Sequence, residues 1–427
     1  MIPPTQLLEI LLTIALSVVS FLLLRERTGD GRPREGPVSR FAHRWPALGR
    51  RAGTSWLPVA AAVAVAYAAV VLYDLTHGWY GCPAGGGPSD LFGLRGSGLA
   101  FWSGGNVFSV PDCGTSIVVP YGLAAIVLDA VGSLGGSAGI AAVWGAVAVA
   151  LVPLTWSVAG ADRRYLTLAL VASPAFFPIV AGEIDGAANA IVPFTVLLAI
   201  GLARRGPGVA AAIGGLLSSA RFPSLFPVAA SVGPGRARFV PAFVAVAAFA
   251  AASAVAYARW RAAFVNAVFL SQATRHAYSL NAFGLLLNAH ALPGGPVLPA
   301  GQAVVVIAIS LAAMVYVRSP IRSAAVALAG IALTTQFLSY PILLWLVPIG
   351  LVDPRARWWL WGIATVGTLD WLVALNQLGF QQGIYGPTDV LDLLVSGLLL
   401  GLFVELWRGA RAERSAARPT GAPGAAG

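Results

Sequence analysis

The sequence predicts an all-α membrane protein. The expected architecture is a polytopic transmembrane bundle of about 10–13 segments, some re-entrant, with extracytoplasmic loops carrying short interfacial helices. Three observations predict this class. Apolar runs near the ~20 residues that a helix needs to cross a bilayer recur from end to end of the 427 residues. Hydrophobic residues make up 58% of the chain and charged residues 10%, against ~25% charged in ordinary globular domains; mean hydropathy is +0.79. The alternating segments of about 10 residues that mark β-barrel spans are not seen.

The first apolar run, Gln6 to Leu24, is followed by Arg25-Glu26-Arg27 and not by a small-residue cleavage site, so it reads as a retained span. The stretch from Arg25 to Arg51 carries Arg25, Arg27, Arg32, Arg34, Arg40, Arg44, Arg50 and Arg51 in a Pro/Gly-rich context without apolar periodicity. It reads as a cytoplasmic loop, and residues 1–55 form a first region. The next span, Trp56 to Tyr73, then runs outward into a loop from Asp74 to Ser116 whose single arginine is Arg95. That contrast in arginine content sets the orientation.

Further apolar segments fall at 117–131, 139–158, 165–181, 186–203, 209–233, 238–257, 302–317, 323–338, 339–352, 358–375 and 388–406. Inside turns are marked by Arg163-Arg164, Arg204-Arg205, Arg236/Arg238, Arg318/Arg322 and Arg355/Arg357. Outside turns are Gly182-Glu183-Ile184-Asp185, the stretch from Arg259 to Gly301, and Asn376 to Thr388. Two segments break the alternation of sides. Residues 117–131 would span only ~22 Å as a helix, and 209–233 is interrupted by Arg221-Phe222-Pro223. Each is expected to be either a re-entrant helix or a kinked span. Arg408, Arg411, Arg414 and Arg418 place the C-terminus inside, and the Ala/Gly/Pro-rich region 408–427 reads as a disordered tail after a membrane domain at 56–407.

The net charge of +10 comes entirely from arginine, since the chain has no lysine. The arginines are scattered between apolar segments and not gathered on one face, which argues against nucleic-acid binding and for membrane topology. His43, His77, His276 and His290 are dispersed, with no metal-ligand spacing, P-loop, Ser-His-Asp set or dinucleotide fingerprint.

The unusual residues fall on the outer side. Asp90 lies in a Gly/Pro-rich loop between the two cysteines, Cys82 and Cys113. The pair suits a disulfide in an oxidising extracytoplasmic compartment. After Asp90, apolar residues at 91, 94, 98/99 and 101/102 fall near one helical face, which predicts a short interfacial helix. Arg95, Glu183, Asp185, Arg221, Arg275, His276, Tyr278, Asn281 and Gln336 join Asp90 on this side. Ionisable groups at membrane depth are costly and tend to be functional.

These outer motifs, taken in order, resemble those of the C-superfamily (GT-C) polytopic glycosyltransferases. The similarity is to family-87 polyprenyl-phosphate-mannose-dependent mannosyltransferases and, more distantly, to the GPI mannosyltransferase I family. Asp90 followed by Trp102-Ser-Gly-Gly-Asn-Val-Phe108 is similar to the family's first acidic loop, and Val119-Pro120-Tyr121-Gly-Leu resembles its Tyr-Pro-Pro-Leu opening of a short helix. Gly182-Glu183-Ile184-Asp185 stands where the family has Gly-Gln-x-Asn, and Gly214 to Pro223 looks like its Gly-Leu-…-Lys-x-x-Pro, with Arg221 for the lysine. Arg275-His276-Ala-Tyr278-Ser279 resembles Arg-His-Asn-Phe-Ser, and Thr335-Gln336-Phe337 to Pro348 resembles Ser-Gln-Tyr-Phe-…-Pro. The single acid at Asp90, and acids in place of amides at Glu183 and Asp185, depart from the family pattern.

The resemblance covers about residues 56–350 and implies an inverting enzyme. It would move a sugar, mannose by the nearest likeness or arabinofuranose, from a polyprenyl-phosphate donor to a lipid or glycan acceptor on the extracytoplasmic face of the cell membrane. Asp90 would be the general base. Arg221 would hold the donor phosphate, with Arg275, His276 and Arg95 able to assist. Glu183, Asp185, Tyr278, Asn281 and Gln336 would contact substrate. No cofactor is required, although Glu183 or Asp185 could hold a divalent cation. A transporter or flippase of lipid-linked or polar solutes is the alternative of another class, and a non-catalytic scaffold is a third.

Overall fold

The computed structural model describes residues 4–25, 55–77, 90–112, 115–118, 121–159, 163–176, 188–233, 235–270, 297–335, 343–346, 353, 355–378 and 388–416. It is a membrane protein built of packed helices. By length and composition, Gly136–Val158, Phe239–Leu270 and Val390–Ser415 are long and apolar enough to cross a bilayer, and shorter apolar helices pack among them. In chain order the helices are α1 (Pro4–Arg25), α2 (Leu57–His77), α3 (Asp90–Ser103), α4 (Leu123–Ser133), α5 (Gly136–Val158), α6 (Arg163–Val171) and α7 (Ile191–Ala203). They continue as α8 (Pro207–Ser218), α9 (Leu225–Ser231), α10 (Phe239–Val265), α11 (Val297–Tyr316), α12 (Pro320–Thr334), α13 (Arg357–Leu378) and α14 (Thr388–Ala416). A two-stranded antiparallel hairpin, β1 (Ser109–Asp112) and β2 (Thr115–Val118), lies between α3 and α4; Ser109 pairs with Val118 and Asp112 with Thr115. The sequence reading had only a loop there.

The expected helix over 90–102 forms as α3. Its buried face is made by Leu94, Ser97 and Gly98, while Leu99 and Trp102 are exposed. The reason is backbone proximity: a Cβ on Gly98 would lie 2.3 Å from the carbonyl oxygen of Asp129, so only glycine lets α3 lie this close to α4. Trp102 Nε1 then donates to the Ala130 carbonyl at 2.8 Å.

α10 fixes the two ends of the molecule. Helical geometry holds from Phe239 to Arg261, where φ of 45° breaks it, so the first segment rises roughly 33 Å. At its start Arg238 is fully buried and donates to the carbonyls of Gly233 (2.6 Å), Ala230 (3.2 Å) and Val317 (2.8 Å), and to that of Arg318. Burial pulls the Arg238 pKa below its ordinary value, and the field of Glu413 opposes that shift. At the far end Trp260 Nε1 donates to Gly105 at 3.3 Å and its ring packs on Phe108.

The Arg238 end gathers other arginine-marked turns. Arg322 pairs with Asp353 at 2.5 Å and with Glu413 at 2.8 Å, and Arg355 pairs with Glu405 at 3.2 Å. The turns at 235–238, 318–322 and 353–357 and the end of α14 therefore share one end, as the positive-inside pattern expected. The α3–hairpin region lies at the other.

Two helix pairs are antiparallel by their contacts. On α13 and α14, Gly401 faces the Trp359 ring and Gly362 faces Leu398. On α8 and α9, Gly214 faces Val228, seven residues either side of Arg221. Since α9 ends beside Arg238, α8 starts at the same end. The 209–233 segment is thus a helical hairpin that turns back at Arg221. α1 joins the bundle, with Ser17 accepting from Trp361 Nε1 at 2.9 Å and bonding the Thr365 hydroxyl at 3.1 Å.

Candidate functional site

The break between α8 and α9 places Arg221. Its backbone is extended (φ −144°, ψ 104°), and Pro223 in the short 3-10 turn Phe222–Ser224 prevents α8 from continuing. α8 rises ~18 Å from the arginine-rich end to this turn. The start of α4 meets it there: Gly122 N–H donates to the Ala220 carbonyl at 3.1 Å and Ala124 N–H to Ser219 Oγ at 3.2 Å. From this point α4 rises ~16 Å to the start of α5, which returns ~34 Å towards the α7–α8 turn, where Arg204 donates to the Ser157 carbonyl at 3.3 Å. The rises of α8 and α4 together match that of α5. Arg221, expected on the outer side, therefore sits about midway between the two ends.

The surroundings of Arg221 are aromatic. Its guanidinium carbon lies 4.8 Å from the Tyr121 ring centroid and 5.5 Å from that of Trp345. Trp345 Nε1 donates to Asn189 Oδ1 at 3.2 Å. Tyr121 packs on Trp144, with centroids 6.4 Å apart, and Trp144 Nε1 donates to Asp129 Oδ1 at 3.0 Å. Phe222 turns the other way, into a cluster with Phe226, Phe249 and Phe269. Among the described residues no carboxylate pairs with Arg221 and no acceptor takes its guanidinium N–H groups. A half-buried guanidinium held over two rings, with no acceptor among the described residues, has the chemistry to receive an anion.

Three segments singled out in the sequence meet here: the one with Tyr121, the one ending Arg221-Phe-Pro223, and the one containing Trp345. Asn189, four residues beyond Asp185, meets the third. Sequence reasoning had selected Arg221, had Tyr121 and Trp345 only within motifs and without a site role, and passed over Trp144, Asn189 and Asp129. Polar residues inside apolar segments, Asp129 and Asn189 above all, were the available signal.

The structure does not bring Arg95 to Arg221. Arg95 Nη1 reaches Ser137 Oγ at 3.4 Å, by the start of α5, while Arg221 lies at the opposite end of α4. The ~16 Å rise of α4 is too long for one phosphate to bridge. Asp90 is the first residue of α3, and its side chain lies outside the described residues, as do Glu183, Asp185, Arg275, His276, Tyr278, Asn281, Gln336, Cys82 and Cys113. No group of three or more His, Cys, Asp or Glu suited to a metal occurs among the described residues.

No protein-family model matches the chain, and no curated protein or solved structure is detectably similar to it.

Proposed function

We propose that the chain is an integral-membrane glycosyltransferase that uses a polyprenyl-phosphate sugar donor. One observation carries the reading: Arg221 is held inside the bundle by aromatic rings, with no carboxylate partner among the described residues. A lipid phosphate enters from the bilayer, and a guanidinium can contact two of its oxygens at once. In an inverting transfer the acceptor oxygen bonds to the sugar's anomeric carbon while the bond from that carbon to the phosphate oxygen breaks. The acceptor proton passes to a carboxylate base, Asp90 by the motif resemblance alone, and the departing phosphate carries its negative charge to Arg221. Mannose follows the motif resemblance, with arabinofuranose as the other sugar. The arginine-rich end faces the cytoplasm and the α3–hairpin end faces outward.

A second reading has its own support. A broken helical hairpin with a charge near mid-depth is also how transporters build a substrate site, so movement of a lipid-linked anion is the alternative. One experiment separates them. The full chain in proteoliposomes is given radiolabelled polyprenyl-phosphomannose or polyprenyl-phosphoarabinose with a membrane acceptor fraction. New labelled product is expected, lost about 100-fold or more in Arg221→Ala and Asp90→Asn. Label that crosses the bilayer with no new product favours the transporter. Transfer at the parent rate by both variants sinks the site assignment.

A further inference from the structure

Arg221 has no described carboxylate to hold it, yet a long flexible side chain needs something to fix its direction. The two rings do this, and each ring is itself held by a buried polar group. On one side the Trp345 indole donates to Asn189 Oδ1 at 3.2 Å. On the other, Tyr121 leans on Trp144, whose indole donates to Asp129 Oδ1 at 3.0 Å. Trp144 and Asp129 are fully buried, and Asn189, Trp345 and Tyr121 are 2%, 5% and 4% exposed. Amide and carboxyl groups are expensive in an apolar bundle unless they make defined bonds. These two have an oxygen spent on an indole that serves the ring set around one cation. The backbone closes the frame, because Gly122 N–H is bonded to the Ala220 carbonyl next to Arg221.

We infer that Asn189 and Asp129 are positioning residues for Arg221, acting through Trp345 and through the Trp144–Tyr121 pair, and that this cradle tunes the site for a phosphate-bearing lipid. The inference rests on the reading of Arg221 as a phosphate ligand. Its chemical logic is that a carboxylate would neutralise the guanidinium and compete with the incoming anion. Aromatic faces hold the cation while leaving its five N–H donors for phosphate oxygens. Asp129 lies eight residues after Tyr121 along the same segment, so α4 supplies both a ring beside the cation and the acid that steadies the next ring.

The test measures binding of a fluorescent polyprenyl phosphate and of the matching uncharged polyprenol to the full chain in zwitterionic nanodiscs. The readout is the ratio of the two affinities, which a general packing defect would not move. The parent should prefer the phosphate, and Arg221→Ala should remove that preference. Asn189→Leu and Asp129→Leu should each lower it about 3–10-fold, with no further loss when combined with Arg221→Ala. Trp345→Phe, which keeps a ring but loses the indole N–H, serves if the leucine variants do not fold; a loss of about 3-fold is expected. Asp129→Asn retains an acceptor oxygen and should bind as the parent does. If Arg221→Ala keeps the preference, the phosphate reading itself fails. If Arg221→Ala loses it while Asn189→Leu, Asp129→Leu and Trp345→Phe match the parent, or lose affinity additively with Arg221→Ala, the cradle inference is overturned.

Discussion

Gly122→Ala tests the junction that builds the site. A Cβ at this position would lie 1.9 Å from the Ser219 carbonyl oxygen, where a carbon and an oxygen need more than 3 Å. The obstacle is backbone, so no side-chain rotation relieves it, and the α4 start must withdraw by more than 1 Å. Withdrawal on that scale breaks two bonds across the junction, Gly122 N–H to Ala220 at 3.1 Å and Ala124 N–H to Ser219 Oγ at 3.2 Å. Each contributes about 1 kcal/mol net, and overpacking adds about 1–3 kcal/mol, for an expected destabilisation of about 3–5 kcal/mol. The assay is thermal unfolding of the purified protein in detergent. Gly301→Ala serves as the control: nothing lies within 4 Å of a Cβ there, and a helix-interior alanine is favoured by up to about 1 kcal/mol. Gly122→Ala should unfold several degrees below the parent, and Gly301→Ala at or above it. A Gly122→Ala protein as stable as the parent would show that α4 and the α8–α9 turn do not meet as described.

The arginine-rich end yields two further predictions. Arg238→Met removes a fully buried guanidinium and strands the four carbonyls it serves, so stability should fall by at least about 3 kcal/mol, read by chemical denaturation; a loss under about 1 kcal/mol would refute the cage. Asp353→Asn should cost more than Glu413→Gln although both carboxylates touch Arg322, because the Asp353 side chain is 3% exposed and that of Glu413 is 32% exposed. The expected losses are about 2–4 kcal/mol for the first and under about 1 kcal/mol for the solvent-screened second, and equal melting temperatures would count against this ranking.

The fold class was legible because its cause is local. Any window of the chain reveals whether it can live in lipid, and the turns at Arg238, Arg318/Arg322 and Arg355 announced themselves by charge. Arg221-Phe-Pro223 was legible as a break for the same reason: proline acts on its own backbone. What the break does was not. Antiparallel contact of Gly214 with Val228, and the meeting of residues 121, 189, 221 and 345, are set by long-range packing that periodicity does not register. The hairpin at 109–118 was hidden because strands of four residues give too little alternation to stand out beside a cysteine and two prolines. The kink at Arg261 has no local cue at all, since neither Trp260 nor Ala262 disfavours a helix strongly.

The contrast between arginines then bears on what Arg221 is for. At the arginine-rich end the buried arginines have oxygen partners: Arg238 has four carbonyls, and Arg322 has Asp353 and Glu413. Arg414 stacks on Tyr316 at 4.5 Å and still spends a donor on the Val315 carbonyl at 2.6 Å. Stacking therefore does not by itself explain why Arg221 has no acceptor among the described residues. The Ala220 and Ser219 carbonyls lie one and two residues away, yet Gly122 N–H binds the first and the Gly122 backbone packs on the second. A half-buried cation at mid-depth is costly unless something pairs with it. Among the described residues Arg238 and Arg322 have oxygen partners whereas Arg221 has only rings, which supports the proposal that its partner arrives from outside the chain, a lipid phosphate being the anion that a bilayer can deliver to that depth.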